Sequence, residues 1–132
     1  MNNITEKMKE NISMWGRSLD IEVIFECYGK DEISNEQKKT YKDIKDNWVK
    51  YSDDAYNAFV EYLKNNYSDS LEGGEVKNIF KYIVPREIYI KQYTEDKKSF
   101  GLIGHFKFDK DNGIAVRFAN GKVKSVGSEM IM

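Results

Sequence analysis

The sequence predicts an α+β domain in which an antiparallel sheet of about five strands carries one long helix on one face. Several short segments alternate apolar and polar residues, which is the pattern of half-buried strands. One longer segment instead repeats apolar residues every three or four positions, the spacing of a helix face. Near the end of the chain, Asn120-Gly121 separates two alternating segments and indicates a tight hairpin turn. The predicted order is therefore β-α-α(short)-β-β-β-β.

The first predicted strand covers residues 17–28, where five apolar side chains alternate with mostly polar ones. The long helix starts at Ser34, since Ser34 and Gln37 have the spacing of a capping box. A break is allowed at Ser52, which could cap a second helix, although the apolar stripe continues through it. The residues of this stripe are Tyr41, Ile44, Trp48, Tyr51, Ala55, Ala58 and Tyr62.

The chain after the long helix predicts a loop, a short helix and four strands. Gly73-Gly74 ends a polar loop over residues 65–74, and residues 75–82 have the spacing of a short helix that Pro85 stops. Alternating residues then predict strands over residues 87–93, 100–108, 114–119 and 122–127. The position of the first strand in the sheet stays open at this point.

The composition excludes several classes of protein. The chain has 132 residues, the size of one ordinary domain, and its 21 basic and 22 acidic residues nearly balance. This balance provides no electrostatic attraction for nucleic acid or for an anionic membrane. Cys27 is the sole cysteine, and the sequence contains neither a signal peptide nor a run of about 20 apolar residues. We therefore expect one cytoplasmic domain over residues 1–132, with residues 1–14 as a loosely held lead-in.

Candidate catalytic and metal-binding residues are few, and each has a simpler structural interpretation. His105, the sole histidine, is a candidate general base or metal ligand, but no second histidine accompanies it and a surface role is favoured. Residues 109–113 look like the start of a calcium loop, yet they lack its terminal glutamate and suit a hairpin loop better. Cys27 falls on the apolar face of the first strand and is interpreted as a small core residue. No catalytic residue, cofactor or metal is therefore predicted.

Three carboxylates, Asp20, Glu22 and Glu26, share the outward face of the first strand. Paired carboxylates can perform acid–base chemistry when their pKa values are driven apart. No feature of the sequence predicts burial of any of them. We therefore favour a solvated face whose charges pair with Lys107 and Arg117 across the sheet.

The most informative predicted surface is the sheet face that points away from the helix. Tyr and Arg are over-represented among the residues that dominate binding energy at protein interfaces. A tyrosine-rich, charged sheet face therefore predicts protein recognition, unless N-terminal residues or a second copy of the chain cover it. The six residues assigned to this partner-binding face are Tyr28, Tyr89, Tyr93, His105, Lys107 and Arg117.

The C-terminal third resembles a known group of sequences. Residues 99–129 contain the runs FGL, FKFD, NGIAVRF, NGKV and VG in that order. They are similar to a C-terminal segment of the form G-L-x-F-x-x-x-W-D-x-E-H-G-x-G-V-x-F-x-N-G-x-V-x-x-V-G, found in uncharacterised small bacterial proteins with a domain of unknown function. Residues 33–38, followed by Trp48, and residues 84–90 also look like that group, so the resemblance covers most of the chain.

The resemblance implies a binding role rather than a catalytic one. Phe108, Asp111 and Asn112 stand where the pattern has Trp, Glu and His, so no role of that Glu-His pair carries over. Members of such groups often look like immunity proteins encoded beside bacterial toxins. We therefore expect a non-enzymatic protein-binding module that neutralises a toxin domain, as a monomer or a homodimer. The alternatives are a small enzyme or ligand-binding domain with a pocket between sheet and helix near His105 and Tyr89, and a self-associating structural protein.

Overall fold

A six-stranded sheet with its strands in chain order carries two helices on one face. The computed structural model describes residues 7–27, 32–92, 97–128 and 131. This architecture confirms the predicted α+β class. The elements are β1 (Lys7–Met14), β2 (Arg17–Phe25), α1 (Asn35–Asp46), α2 (Trp48–Tyr67), β3 (Ile83–Ile90), β4 (Phe100–Phe106), β5 (Ile114–Ala119) and β6 (Lys122–Gly127).

The sheet is mixed, and this corrects the antiparallel arrangement predicted from the sequence. β2 runs parallel to β3, whereas every other neighbouring pair is antiparallel. The reason is the connection, because α1 and α2 cross the sheet face between β2 and β3 and return the chain to the end at which β2 began. The parallel pairing joins residues 22–25 to residues 87–90, and the earlier parts of the two strands have no such pairing.

β1 occupies residues 7–14 of the segment that the sequence predicts as a loosely held lead-in, so the prediction is wrong for these residues, and residues 1–6 lie outside the described residues. All 8 residues of β1 pair with β2, and Trp15 and Gly16 form the connecting turn with φ angles of 54° and 81°. Every second side chain of β1 faces the helices, but only Met14 is buried. Glu10 occupies one of these inward positions, where it accepts a hydrogen bond from the Tyr41 hydroxyl. The alternation in β1 is therefore weak, because it includes a charged inward residue.

α1 begins at the predicted capping box. Ser34 Oγ accepts a hydrogen bond from Gln37 N–H at 3.1 Å, and the Gln37 side chain accepts one from Ser34 N–H at 2.9 Å. The amide nitrogen of Gln37, a residue only 1% exposed, also donates to the carbonyls of Glu26 at 2.8 Å and Ile90 at 3.1 Å. Both carbonyls lie at the C-terminal ends of the parallel strands. One side chain therefore fixes the start of α1 to β2 and β3.

The break between the helices falls at Asn47, not at Ser52. Asn47 has φ −122° and ψ 29°, outside the helical region, and its side chain donates to the Asp43 carbonyl at 3.1 Å. Ser52 lies inside α2, where its hydroxyl donates to the Val49 carbonyl at 3.1 Å. A serine that bonds back to a helix carbonyl does not cap a new helix, so the break that the sequence allows at Ser52 does not occur there.

β3 starts earlier than predicted and contains Pro85. The short helix predicted over residues 75–82 is reduced to one 3₁₀ turn, Ile79–Lys81. Pro85 lies opposite Gly104 of β4, and the ladder shifts between Pro85 and Glu87 as it does at a β-bulge. A proline is tolerated at this point because β2 pairs with β3 only from Glu87 onward.

β5 and β6 have the predicted bounds, and the hairpin turn between them is confirmed. Asn120 has φ 55° and Gly121 has φ 77°, as a type I′ turn requires. On the helix side of the sheet, the rings of Phe100 and Phe118 stack with their centroids 4.7 Å apart, and Tyr51 of α2 meets both edge-on. This aromatic cluster joins α2 to β4 and β5.

Two core tyrosines have hydroxyls bound to carboxylates. Tyr41 donates to Glu10, and Tyr51 donates to Asp43. Burial, and then the hydrogen-bonded carboxylate, raises the pKa of both phenols well above the ordinary value. Both phenols therefore stay protonated at neutral pH and act as donors. Tyr41 links α1 to β1, and Tyr51 links α2 to α1.

Gly104→Ala is expected to lower the free energy of unfolding by about 1–3 kcal/mol. A β-carbon at this position would lie 2.7 Å from the Val84 carbonyl oxygen, which the pairing of β3 with β4 holds in place. Urea unfolding of the two proteins measures the loss. Gly127→Ala is the matched control, because its β-carbon would meet the end of the Ile131 side chain at 3.0 Å, and that end can move. Equal losses at both positions would contradict the close approach of β3 and β4.

Candidate functional site

Four of the six predicted partner-binding residues belong to the strands β3, β4 and β5 or directly follow them, and we call the sheet face opposite α1 and α2 the open face. Tyr28 and Tyr93 lie outside the described residues. Tyr89 in β3, His105 in β4 and Arg117 in β5 each alternate with core residues of their strand. Lys107 directly follows β4. The predicted placement on one face is confirmed for Tyr89, His105 and Arg117, whereas Lys107 lies beyond the last residue of β4. These four residues are Tyr89, His105, Lys107 and Arg117.

Tyr89 is half-buried on the open face and is bound to β2. Its hydroxyl donates to Glu26 Oε2 at 2.5 Å, and Glu26 Oε1 accepts from Gln92 N–H at 3.2 Å. In the ladder, Tyr89 lies between Ile24 of β2 and Gly101 of β4. The phenol is therefore held in place on this face.

The acidic residues of β2 and Glu26, which directly follows it, have partners in β1 and β3. Asp20 accepts a hydrogen bond from a side-chain amide of β1, Glu22 lies 3.4 Å from a lysine nitrogen of β1, and Glu26 binds a tyrosine of β3. The expected pairing with Lys107 and Arg117 is therefore wrong. The strand order explains why this pairing does not form. β4 lies two strands from β2 and β5 lies three strands from it, and adjacent strands are about 4.8 Å apart, so the charges are too far from each other.

His105 is exposed and contacts Arg86, the residue at the β-bulge of β3. Its Nε2 lies 3.0 Å from Arg86 Nη1. A guanidinium only donates hydrogen bonds, so the ring nitrogen of His105 is the acceptor when this contact is a hydrogen bond. Because His105 and Tyr89 both lie on the open face, a pocket between the sheet and the helices cannot include them. The alternative prediction of a sheet–helix pocket that uses His105 and Tyr89 is therefore wrong about where these two side chains lie.

A cleft of about 600 Å³ lies beside His105, where β2 and β3 diverge. The two strands pair only over residues 22–25 and 87–90, so their earlier parts leave a gap between them. Charged residues of both signs, contributed by β1, β2 and β3, line this cleft. The lining residues are Lys9, Leu19, Asp20, Glu22, Val84, Pro85, Arg86, Glu87 and His105.

A second groove, of about 490 Å³, lies on the other side of Val84 and His105. Val84 is 38% exposed, which is high for a large apolar residue in a strand, and it separates the two concave surfaces. The ammonium group of Lys107 lies 5.9 Å from the centroid of the Tyr82 ring, in a cation–π contact. The groove is lined by Phe80, Lys81, Tyr82, Val84, His105, Phe106, Lys107 and Lys110.

Arg117 and Ser99 have side-chain polar atoms without hydrogen-bond partners. Over the described ranges, the buried side-chain nitrogen and oxygen atoms in this condition are Arg117 Nε and Ser99 Oγ. Arg117 is half-buried on β5, between Gly101 of β4 and Ser125 of β6. Ser99 directly precedes β4 and is 2% exposed. Native folds rarely leave buried polar atoms unpaired, so both atoms need an explanation.

The residues that line the cleft from β1 and from the start of β3 were missed by reasoning from the sequence. Lys9 falls in the segment predicted as a lead-in, and Arg86 falls before the predicted start of its strand. Alternation of apolar and polar residues from Met8 to Met14 is the signal for β1. The signal for Arg86 is Pro85 inside an alternating segment, since strand prolines occur at bulges and edges.

The loop over residues 109–113 is a hairpin connection between β4 and β5, as predicted. The Asp109 carboxylate accepts hydrogen bonds from the Asn112 backbone and side chain at 3.2 Å, and the Asp109 carbonyl accepts one from Gly113 N–H at 2.9 Å. Asp109 therefore holds the turn itself. Cys27 packs half-buried against the core, as predicted. Within the described parts of the chain, no three His, Cys, Asp or Glu side chains come together as metal ligands.

Comparison with known proteins identifies a family for this chain but no individual relative. Searches of curated proteins and of solved structures find no significant match. In the part of the chain that the structure describes, no helix is long and apolar enough to cross a membrane. The family model described as "Domain of unknown function (DUF6985)" matches residues 2–131, almost the whole sequence. The chain therefore belongs to this family of domains of unknown function, DUF6985.

Proposed function

We propose that this chain is a non-enzymatic protein-binding domain that recognises its partner with the open face of the sheet. The observation that carries the proposal is the composition of that face around Val84 and His105. Val84 is an exposed apolar side chain that lines both the cleft and the groove, and charged side chains line each of them as well. Interfaces between proteins have this arrangement of an apolar centre inside a polar rim.

The concave shape of the open face supports the same role. The cleft of about 600 Å³ and the groove of about 490 Å³ lie side by side and share Val84 and His105. The residues that dominate binding energy at an interface pack into such concave surfaces on the opposite protein. Charges of both signs around the cleft favour a partner with complementary charges and disfavour other proteins.

The narrower proposal is that the partner is a toxin domain, which the chain neutralises by binding it. Its support is the resemblance of residues 99–129 to immunity-like bacterial proteins, and it includes a bacterial origin for the chain. The encounter would take place in the cytoplasm, where the thiol of Cys27 stays reduced.

Val84→Lys is expected to weaken binding to a toxin domain encoded beside the gene for this chain by about tenfold or more. The substitution puts a charge at the apolar centre of the face, and binding must then remove water from that charge. Isothermal titration calorimetry with the purified toxin domain measures the affinity. Val49→Lys is the matched control, because Val49 is 74% exposed on α2, on the other side of the sheet.

Two results would contradict the proposal at different levels. If the unaltered chain binds no neighbour-encoded toxin domain, the immunity function is excluded. If Val84→Lys and Val49→Lys weaken binding equally, the open face is not the interface. Because both valines are exposed, neither variant should change the free energy of unfolding by more than about 0.5 kcal/mol, which urea unfolding checks.

A further inference from the structure

On the basis of the proposed protein-binding function, we infer that the groove of about 490 Å³ beside Val84 binds a short acidic segment of the partner protein. We call this surface the basic groove, because three lysines and His105 are the charged or titratable side chains that line it together with Tyr82. The lysines and His105 are all exposed. Among the described residues, no aspartate or glutamate lines the basic groove. The three lysines are Lys81, Lys107 and Lys110.

Aromatic rings form most of the apolar part of the basic groove. Tyr82 and Phe106 are buried, and Phe80 is half-buried. The Lys107 ammonium group lies 5.9 Å from the centroid of the Tyr82 ring, and the guanidinium carbon of Arg17 lies 4.2 Å from the centroid of the Phe80 ring. A ring attracts a cation without neutralising its charge. Both cations can therefore still meet a carboxylate, while an apolar side chain of the same segment packs on the Phe80 ring.

The chain's own Glu72 shows how a carboxylate binds at the basic groove. Its Oε1 lies 3.0 Å from Nζ of Lys81. That hydrogen bond and the charge of Lys81 lower the pKa of the Glu72 carboxyl below its usual value, and Lys77 and Lys107 add to the effect. Both side chains of the pair are more than half exposed, and ion pairs of this kind stabilise a fold only weakly. A carboxylate of the partner can therefore take the place of Glu72.

The other two lysines, Lys107 and Lys110, take part in none of the ion pairs found among the described residues. Asp109 and Asp111 flank Lys110 in the sequence, but neither of them lines the basic groove. The Asp109 carboxylate is bound to Asn112 within its own loop. The chain after β4 therefore brings positive charges to the basic groove that an acidic segment can neutralise.

An acidic peptide segment suits this surface better than a nucleic acid does. A nucleic acid carries a negative charge at every phosphate and binds along a continuous basic path. Beyond Val84 and His105, the adjoining cleft is lined by three carboxylates, which outnumber the cations Lys9 and Arg86. These carboxylates repel a strand that extends past the basic groove, whereas a segment of a few residues ends before it reaches them. The three acidic residues are Asp20, Glu22 and Glu87.

The test uses two blocked pentapeptides on the full chain, at about 50 mM salt so that screening stays moderate. One peptide has four glutamates around a central leucine, and the other has glutamines in place of the glutamates. The ¹H–¹⁵N NMR signals of the Lys81 and Lys107 backbone amides report on binding. We expect the acidic peptide to shift both signals saturably, with half-saturation below about 5 mM, and the glutamine peptide to produce no saturable shift. Single-stranded tetrathymidylate should bind about fivefold more weakly than the acidic peptide, or less tightly still.

Variants of the chain separate the basic groove from a general attraction between charges. The double variant Lys107→Gln/Lys110→Gln is expected to weaken binding of the acidic peptide by about fivefold or more. The double variant Lys38→Gln/Lys64→Gln is the matched control and should leave the affinity unchanged. It alters the net charge equally, through exposed lysines of α1 and α2 on the other side of the sheet. Glu72→Gln removes the competing carboxylate and should tighten binding by about twofold or more.

Four results would overturn the inference. They are the absence of a saturable shift with the acidic peptide, an equal or tighter response to the glutamine peptide or to tetrathymidylate, equal losses in the two double variants, and unchanged or weaker binding in Glu72→Gln. None of these measurements involves the partner protein, whereas the proposed function is tested by Val84→Lys with the toxin domain. Failure of the peptide test alone removes the acidic ligand and leaves the binding face in place.

Discussion

Phe100→Ala is expected to lower the free energy of unfolding by about 3–5 kcal/mol. Phe100 is 1% exposed, stacks on Phe118 with the ring centroids 4.7 Å apart, and meets Tyr51 of α2 edge-on at 5.0 Å. Removing the ring leaves a cavity between α2 and the sheet, which a close-packed core fills only in part. Domains of this kind are stable by only about 5–15 kcal/mol, so the loss is a large fraction. Urea unfolding measures it.

Phe100→Leu is the control for this prediction. Leucine keeps most of the apolar volume, so its cost is expected to be about half that of alanine or less. Because Phe100 faces the helices, Phe100→Leu should leave the affinity of the open face for its partner unchanged. A loss below about 1 kcal/mol for Phe100→Ala would show that this part of the core is not packed as described.

Local signals were enough to predict the second half of the sheet. Asn120-Gly121 marks both the end of one strand and the start of the next, and the bounds of β5 and β6 agree with the structure. The capping box at Ser34 and Gln37 likewise predicted the start of α1. In both cases the residues that determine the structure are neighbours in the sequence.

The errors concern elements whose partners are distant in the sequence. β1 was missed because Glu10 faces inward, and its hydrogen-bond partner Tyr41 is 31 residues further along the chain. The parallel pairing of β2 with β3 depends on how α1 and α2 cross the sheet, which no local pattern states. The start of β3 was placed too late because Pro85 suggests a boundary, whereas in the structure it lies at a bulge.

The candidate site divides in the same way. Alternation alone placed Tyr89, His105 and Arg117 on one face, and the structure agrees. The cleft beside His105 arises from the divergence of β2 and β3, which follows from the sheet order. Ser99 Oγ and Arg117 Nε have no hydrogen-bond partner in the fold, and a local sequence pattern does not reveal this. Sequence reasoning therefore found the face but not the surfaces on it that could bind.

Gln37→Leu is expected to lower the free energy of unfolding by about 2–4 kcal/mol. The substitution removes the hydrogen bond to Ser34 N–H and the two donated to the carbonyls of Glu26 and Ile90. Because Gln37 is only 1% exposed, water cannot readily replace the lost amide group. Urea unfolding measures the loss.

Ser34→Ala separates the two roles of Gln37. It removes the capping hydroxyl and leaves the bonds to the strand ends, so its cost is expected to be about 0.5–2 kcal/mol. A Gln37→Leu loss no greater than the Ser34→Ala loss would mean that the strand-end bonds contribute nothing. If they contribute as expected, Gln37→Leu should also weaken partner binding, because the pairing of β2 with β3 that these bonds support determines where the strands diverge and form the cleft. Ser34→Ala should leave that binding unchanged.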